Sequence, residues 1–220
     1  MRPSVCCTGA SVILIDPAEQ TRKDNYKLLI GAVVPRPIAW VSSLSMAGVP
    51  NLAPFSYFTI ACQDPPMLLF CPQRRADGTI KDTQRNIAAT GEFVLHIVSE
   101  ALVGSMNQTA AEYPPELSEW EQTQLAAAPS LRVAPPRIAD APIAFECRVE
   151  QQLGVGGATG ADIIVGRVLL AHIRDDVYED GYVRLERLQP VGRLAGHDYA
   201  RVTDTFSLPR PVYQPEEARK

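Results

Sequence analysis

Proline constrains this chain more than any other residue. It occurs 19 times in 220 residues, more often than glycine at 14. Each proline removes a backbone donor and clashes inside a helix, which argues against a bundle of long helices. The two residue types together stay well short of the roughly 25–30% that marks low-complexity chain. The pattern predicts many short elements punctuated by fixed turns.

A chain of this length can bury a sizeable core, and with no internal repeat and no Ser/Gly linker one domain is the expectation. The formal charge is −4, and no Lys/Arg block is present. Nucleic acid is disfavoured as the main partner, because phosphate binding needs concentrated positive charge. No window approaches the ~18 apolar residues that span a bilayer. The N-terminal stretch MRPSVCCTGASVILIDP has a single Arg and an apolar run broken by Thr8, Gly9 and Ser11. It makes a poor secretory signal and reads as an extension over residues 1–15.

Five cysteines are present, Cys6, Cys7, Cys62, Cys71 and Cys147. The number is odd and no C-x-x-C pair occurs, so buried thiols explain the last three better than disulfides or metal. A reducing, cytoplasmic compartment is expected.

Along the chain, Asp16 to Ile30 can form a short helix, followed by a corner at Pro35-Arg36-Pro37. Ile38 to Leu44 reads as a strand, Ser45 to Gly48 as a hairpin turn, and Asn51 to Ala61 as a second strand kinked at Pro54. Met67 to Cys71 is a short strand. Lys81 to Ala89 is the clearest helix, capped by Asp82 or Thr83, with Ile87 and Ala88 inward and Gly91 as terminator. A strand over Phe93–Val98 and a helix over Glu100–Ala110 precede a proline-rich excursion through residues 114–141. Phe145, Cys147 and Val149 alternate with Glu146, Arg148 and Glu150 as a half-buried strand. Ile163–Ile173 is a longer strand, Asp175-Asp176 a turn, and Val183 to Glu186 a short final strand. Strands dominate, and an antiparallel barrel with a few covering helices fits best.

Most chemical motifs fail on context. The glycines from Gly154 to Gly160 precede the β-branched run Ile163-Ile164-Val165 rather than a helix, so they read as a hairpin loop and not a pyrophosphate cradle. His96, His172 and His197 are far apart and lack metal spacing; His96 and His172 lie in apolar runs. No G-x-S-x-G elbow occurs, and no Cys has a basic partner nearby in sequence. Weak support for an acid, base or nucleophile on the protein favours a cofactor as the source of chemistry.

Two segments remain. Pro35-Arg36-Pro37-Ile38-Ala39-Trp40-Val41-Ser42-Ser43, with Gly48 and Asn51-Leu52-Ala53-Pro54-Phe55-Ser56-Tyr57-Phe58, places hydroxyls and an amide on adjacent strands. Either a flat polar-edged ring finds donors there, or the polar groups of a core hairpin satisfy one another. Lys81-Asp82-Thr83-Gln84-Arg85-Asn86 opens a helix whose amides and dipole attract anions; the alternative is an ordinary capped surface helix.

In combination, PRPIAWVSS…G…NLAPFSYF and KDTQRNI resemble the flavin reductase-like, FMN-binding split-barrel proteins, particularly the flavoredoxin-type branch. The similarity continues through Gly91-Glu92-Phe93-Val94, Met106…Tyr113-Pro114…Glu119 and Glu146-Cys147, ending near Arg193-Leu194 and Tyr199, which implies a main domain over 16–211 and a C-terminal tail over 212–220. It implies a mainly β fold: a six-stranded antiparallel Greek-key split barrel that forms a homodimer and binds FMN near the dimer interface. It further implies that the isoalloxazine and ribityl lie along Ala39, Trp40, Val41, Ser42 and Ser43 and along Asn51, Leu52, Ala53 and Ser56. The phosphate falls to Lys81 and Thr83, with Asp82 and Asn86 nearby and Arg193 assisting. Ser43 stands where relatives often carry Thr, which keeps the hydroxyl.

The activity implied is NAD(P)H-dependent reduction of free flavin or a small acceptor. Hydride transfer from NADH or NADPH to a flavin needs orientation and stacking rather than a protein base. The alternatives are an FMN-binding electron carrier fed by a protein partner, and a non-catalytic flavin-binding or sensor protein. An oligonucleotide-binding barrel is disfavoured by charge. The acceptor stays open among flavin, quinone, metal and an oxygenase or redox-protein partner.

Overall fold

The computed structural model describes residues 11–114 and 117–213. Helix α1 (Arg22–Ala32) comes first, capped by Thr21, whose Oγ1 accepts from the Asp24 amide at 3.1 Å. Strands β1 (Ala39–Leu44) and β2 (Pro50–Phe55) form a hairpin. Its turn closes through Gly48 N–H to the Ser45 carbonyl, with Gly48 at φ +82°, a conformation that favours glycine. Next come β3 (Phe58–Gln63), β4 (Pro66–Phe70), α2 (Asp82–Thr90) and β5 (Glu92–Ile97).

The proline-rich excursion is preceded by α3 (Val103–Gln108) and contains α4 (Glu119–Thr123) and the small pair β6 (Ala127–Ala128) and β7 (Arg137–Ile138). It leads into a long hairpin of β8 (Ile143–Val155) and β9 (Ala161–Ile173). Beyond it lie β10 (Tyr178–Glu179), β11 (Tyr182–Val183), α5 (Leu185–Leu188), β12 (Val191–Arg193) and β13 (Tyr199–Arg201). None of the described helices is long and apolar enough to cross a membrane.

Seven strands build one antiparallel sheet in the order β2-β1-β5-β8-β9-β4-β3. The outermost strands, β2 and β3, are separated in the chain by Ser56 and Tyr57 alone. Three Cα steps reach about 11 Å, whereas a flat sheet of this width spans about 29 Å. The sheet therefore curls until its two edges approach at that end. No ladder joins β2 to β3, so the barrel stays open along that seam.

The strand expected over Asn51–Ala61 is thus two strands, broken at Ser56-Tyr57 rather than kinked at Pro54. The sheet has seven strands where the resemblance implied six.

Inside the barrel pack Ala39, Val41, Phe55, Phe70, Phe93, Cys147 and Ile164, with Ile87 of α2 entering from one end. On the opposite face of β1, Trp40 packs with Leu52, Met106, Trp120 and Ile138. Strand β1 is therefore buried on both faces, which explains its run of apolar and small residues.

Several local expectations change. Lys81, not Asp82 or Thr83, occupies the N-cap of α2, and Ala88 is exposed. Gly91 does terminate that helix, in the left-handed conformation at φ 71°. Glu146 was expected on the solvent face of a half-buried strand, yet it is fully buried because the excursion lies over it. Its carboxylate accepts from the Leu131 and Arg132 amides at 2.8 and 2.5 Å and pairs with His172 at 2.5 Å. Asp175 and Asp176 lie in a 3-10 turn; the strand expected through Glu186 stops at Val183, α5 begins at Leu185, and β12 and β13 follow it, so it is not the final strand. Of the three cysteines expected in the interior, Cys147 alone is fully buried; Cys62 and Cys71 are intermediate. Cys6 and Cys7 lie outside the described residues.

Candidate functional site

The β1–β2 register pairs Ser43 with Asn51 and Val41 with Ala53. Alternation along a strand gives these residues a common face, and α2 packs against it. Asn51 Nδ2 donates to Thr83 Oγ1 at 2.8 Å, and Asn86 Nδ2 donates to Ser43 Oγ at 3.2 Å. All four side chains are buried. Strand and helix are thereby cross-linked by amide–hydroxyl pairs, as the core-hairpin reading requires. Each hydroxyl keeps its own proton to donate, and Asn51 keeps an acceptor.

Asn51, Ala53, Phe55, Lys81 and Thr83 line a cleft of about 160 Å³, closed on the far side by Tyr113 and Glu119. A second cleft of about 170 Å³ adjoins it, sharing Asn51, Asp82, Tyr113 and Glu119 and reaching Met46, Asn86 and Leu117.

Charge in this corner is distributed unevenly. Asp82 pairs with Arg75 at 3.6 Å, which also reaches Glu112 at 3.7 Å, and with Arg85 one turn on. The Lys81 ammonium forms no ion pair among the described residues and lies 5.9 Å from the centre of the Phe55 ring. A lysine side chain has no acceptor, so α2 begins without a side-chain cap on its first-turn amides. Helices normally use Ser, Thr, Asp or Asn there. Uncapped amides, the positive end of the helix dipole and an unspent ammonium together suit an anion.

The outer edge of β2 has its own logic. The Leu52 amide points away from β1 and donates to Glu119 Oε2 at 2.9 Å. Pro50 and Pro54, two residues to either side, share that direction but have no N–H to offer. Ser118 Oγ donates to the Pro50 carbonyl at 2.6 Å. Residues 118–119 thus dock on the edge strand and cover its one outward donor. Burial raises the pKa of the Glu119 carboxyl, and the nearby Asp82 charge adds to the effect. No role for Glu119 was read from sequence; two prolines at alternate outward positions on an edge strand were the available signal.

The remaining predicted residues lie elsewhere. Ala39 and Val41 share the face of Ser43 and Asn51 but pack in the barrel core and line neither cleft. Trp40 faces the opposite way and donates from Nε1 to Thr109 Oγ1 at 2.8 Å. Ser42 shares the Trp40 side by alternation, and its buried hydroxyl has no partner among the described residues. Ser56 lies beside Arg36, whose Nε donates to Ser56 Oγ at 3.4 Å. Arg193 stacks on Tyr199 with 4.6 Å between guanidinium carbon and ring centre, and donates to the Gly196 and Asp198 carbonyls. Neither Ser56 nor Arg193 lines the two clefts.

His96 Nε2 accepts from the Ile138 amide at 3.0 Å, so Nδ1 carries the proton donated to the Trp40 carbonyl at 2.9 Å. Burial pushes its pKa down to about 4. It joins β1, β5 and β7 and has no reactive lone pair left.

Residues 31–189 match the model of the flavin reductase like domain. The chain belongs to the flavin reductase-like family. A protein of this family from Halalkalibacterium halodurans, itself uncharacterised, is 45% identical over 201 residues, which cover 90% of this chain and 96% of that protein. Among solved structures, nitrilotriacetate monooxygenase component B from Bacillus cereus superposes with a TM-score of 0.87 at 42% identity, covering 91% of this chain and all of that one. The Pseudomonas fluorescens 2-nitrobenzoate 2-nitroreductase gives a TM-score of 0.83 at 32% identity, covering 93% and 99%. The flavin reductase-like fold therefore extends over most of the chain.

Proposed function

We propose that this protein is an FMN-binding oxidoreductase that uses NADH or NADPH to reduce flavin or a small acceptor. The observation that carries the reading is the corner at the start of α2. Lys81, without an ion pair among the described residues, and uncapped helix amides, beside Asn51 and Thr83, are suited to the phosphate of a flavin mononucleotide. The fit is chemical as well as electrostatic: Thr83 has a hydroxyl proton to donate, and the one carboxylate on α2, Asp82, is already paired with two arginines.

Bound flavin would supply the hydride and electron chemistry. The chain's own contribution is to orient the ring and exclude water. Ser43 and Asn51 present hydroxyl and amide groups from a doubly braced hairpin, and Phe55 provides an apolar wall. The Leu52 amide, held here by Glu119, is the one outward backbone donor on the edge of β2 and becomes available to a ligand if Glu119 turns away.

The unit in solution is proposed to be a homodimer. Leu29 of α1 and Ile60 of β3 are 58% and 73% exposed, and the extended segments at both ends carry Ile13, Leu14, Phe206 and Leu208 at more than 80% exposure. Apolar surface on this scale suits a protein–protein interface. A reducing cytoplasm is the compartment proposed. The relatives bearing names of an oxygenase component and a nitroreductase support a small-molecule or oxygenase-linked acceptor.

The test is anaerobic stopped flow on the FMN-loaded protein. NADH or NADPH is expected to bleach the flavin absorbance within the turnover time. Tight FMN binding with no bleaching by either nucleotide overturns the reductase reading in favour of a protein-fed carrier or a non-catalytic flavin protein. Failure to bind FMN at all overturns the site.

A further inference from the structure

The glycine-rich hairpin does not cradle phosphate, but its base is wired to the helix that is proposed to do so. Asp162, at the start of β9, is 5% exposed. Its Oδ1 accepts from Arg74 Nη2 at 2.6 Å, and its Oδ2 from Gln84 Nε2 at 3.0 Å. Gln84 is fully buried, and its Oε1 accepts from the Lys81 backbone N–H at 2.8 Å. A continuous chain of hydrogen bonds therefore runs from the barrel wall to the N-cap of α2.

The glycines make room for this chain. A Cβ on Gly154 would lie 3.0 Å from Arg74 Nη2 and 3.5 Å from Asp162 Oδ1, in the space where that ion pair sits. A Cβ on Gly160 would lie 1.8 Å from the Val155 carbonyl, so glycine is required for the hairpin to close. Arg74 also binds that loop directly, its backbone N–H donating to the Gly160 carbonyl at 2.9 Å. On the other side, Arg75 donates to the Ile80 carbonyl at 2.7 Å while pairing with Asp82.

We propose that Asp162 is a positioning residue that, through Gln84, fixes the N-cap of α2 in the orientation that receives the flavin phosphate. The inference rests on the flavin site proposed above. A helix capped by a side chain carries its own local constraint at that end. On α2 no side chain caps the first-turn amides; the N-cap is held by Gln84 accepting from the Lys81 N–H, and Gln84 is itself held by a buried carboxylate some eighty residues away in sequence. Asp162 and Gln84 act through Lys81 and the helix amides rather than by touching the ligand.

The experiment compares FMN with riboflavin, which has the ring and ribityl but lacks the phosphate. Binding is read by flavin fluorescence quenching, which does not depend on turnover. Asp162→Asn keeps the volume and one acceptor while removing the charge that holds Arg74. It is expected to weaken FMN at least fivefold and riboflavin less than twofold. Gln84→Met, which breaks both links of the relay, is expected to show the same selectivity, and Gly154→Ala a smaller version of it.

Lys81→Ala is the reference and is expected to weaken FMN selectively by tenfold or more. If Lys81→Ala affects FMN and riboflavin equally, the phosphate lies elsewhere, and the site reading falls together with this proposal. If Lys81→Ala is FMN-selective but neither Asp162→Asn nor Gln84→Met is, the positioning role alone is overturned. Equal weakening of both flavins by the Asp162 and Gln84 variants assigns them a purely structural role. Should Asp162→Asn fail to fold, Gln84→Met and Gly154→Ala carry the same comparison.

Discussion

Two cationic corners of this molecule look alike in sequence and differ in structure. Arg36, framed by Pro35 and Pro37, is 6% exposed. Its Nη1 donates to the Ile30 and Val33 carbonyls at 2.9 and 2.6 Å, and its Nη2 to the Leu194 carbonyl at 2.9 Å. The guanidinium thus satisfies carbonyls at the C-terminal end of α1, which the helix itself cannot pair, and ties that end to the chain following β12. Lys81 has a similar charge, yet among the described residues it forms no ion pair, and it stands over helix amides with no side-chain cap. A charge with four of its five N–H donors spent on the protein holds the fold together. A charge with donors to spare can hold a ligand.

The largest effect expected from this contrast is on Arg36. Replacement by Met leaves three carbonyls without their partner, each costing roughly 1–3 kcal/mol when buried. Arg36→Met should therefore lose about 3–5 kcal/mol of stability in urea denaturation. The protein that remains folded should bind FMN within twofold of the parent. A large selective loss of FMN affinity would dissolve the distinction between the corners.

His96 is the neutral counterpart of Arg36, with both ring nitrogens committed. Its folded pKa of about 4 lies below the ordinary 6.5. Stability from the neutral ring is present above pH 6.5 and is lost as pH falls from there toward 4, because the unfolded chain takes up a proton that the folded one refuses. The total is on the order of 3 kcal/mol. His96→Gln should remove most of this component of the pH slope, measured as unfolding free energy between pH 7 and pH 4. An unchanged slope would show that other groups set it.

Asn51 tests the Lys81 corner from inside. Asn51→Leu removes the donor to Thr83 and the polar group facing the cleft. It should cost about 1–2 kcal/mol of stability from the unpaired buried hydroxyl. The loss in FMN affinity should exceed that. Equal losses would mean that Asn51 serves only to bind strand to helix.

Much of this was legible in sequence because it is local. The β1–β2 hairpin, its Gly48 turn, α2 with its Gly91 terminator and the glycine hairpin between β8 and β9 all follow from short-range patterns. What escaped depends on how the sheet curls. Alternation alone put Glu146 on a solvent face, and only the excursion folding over β8 buries it against His172. Alternation also separates Trp40 and Ser42 from Ser43, a division that a linear run of candidate residues along one strand hides. Ser56 and Arg193 are near the candidate residues in sequence or in the family pattern, but the fold places Ser56 beside Arg36, and neither residue lines the clefts. The role of Asp162 rests on contacts with Arg74 and Gln84, and no short motif can report separations of that length.

Glu119 falls between the two corners and gives the smallest expected effect. Its carboxylate is nearly buried, yet the hydrogen bond it accepts from another residue is the one from Leu52. Burial raises its pKa, so the stability associated with the protonated form is present below the ordinary 4.5 and is lost as pH rises through the folded value. At neutral pH the charge is therefore a cost, partly offset by the stronger hydrogen bond that an ionised acceptor makes. Glu119→Gln keeps an oxygen for the Leu52 amide and removes the charge. The variant should match or slightly exceed the parent in stability at pH 7, by under about 1 kcal/mol, with the difference closing on acidification. FMN affinity provides the sharper reading. If flavin must displace this side chain from the Leu52 amide, the weaker neutral acceptor should yield more easily, and FMN should bind Glu119→Gln a few-fold more tightly. Weaker binding would place Glu119 among the groups that hold the ligand, and Leu52 would then serve the strand edge alone.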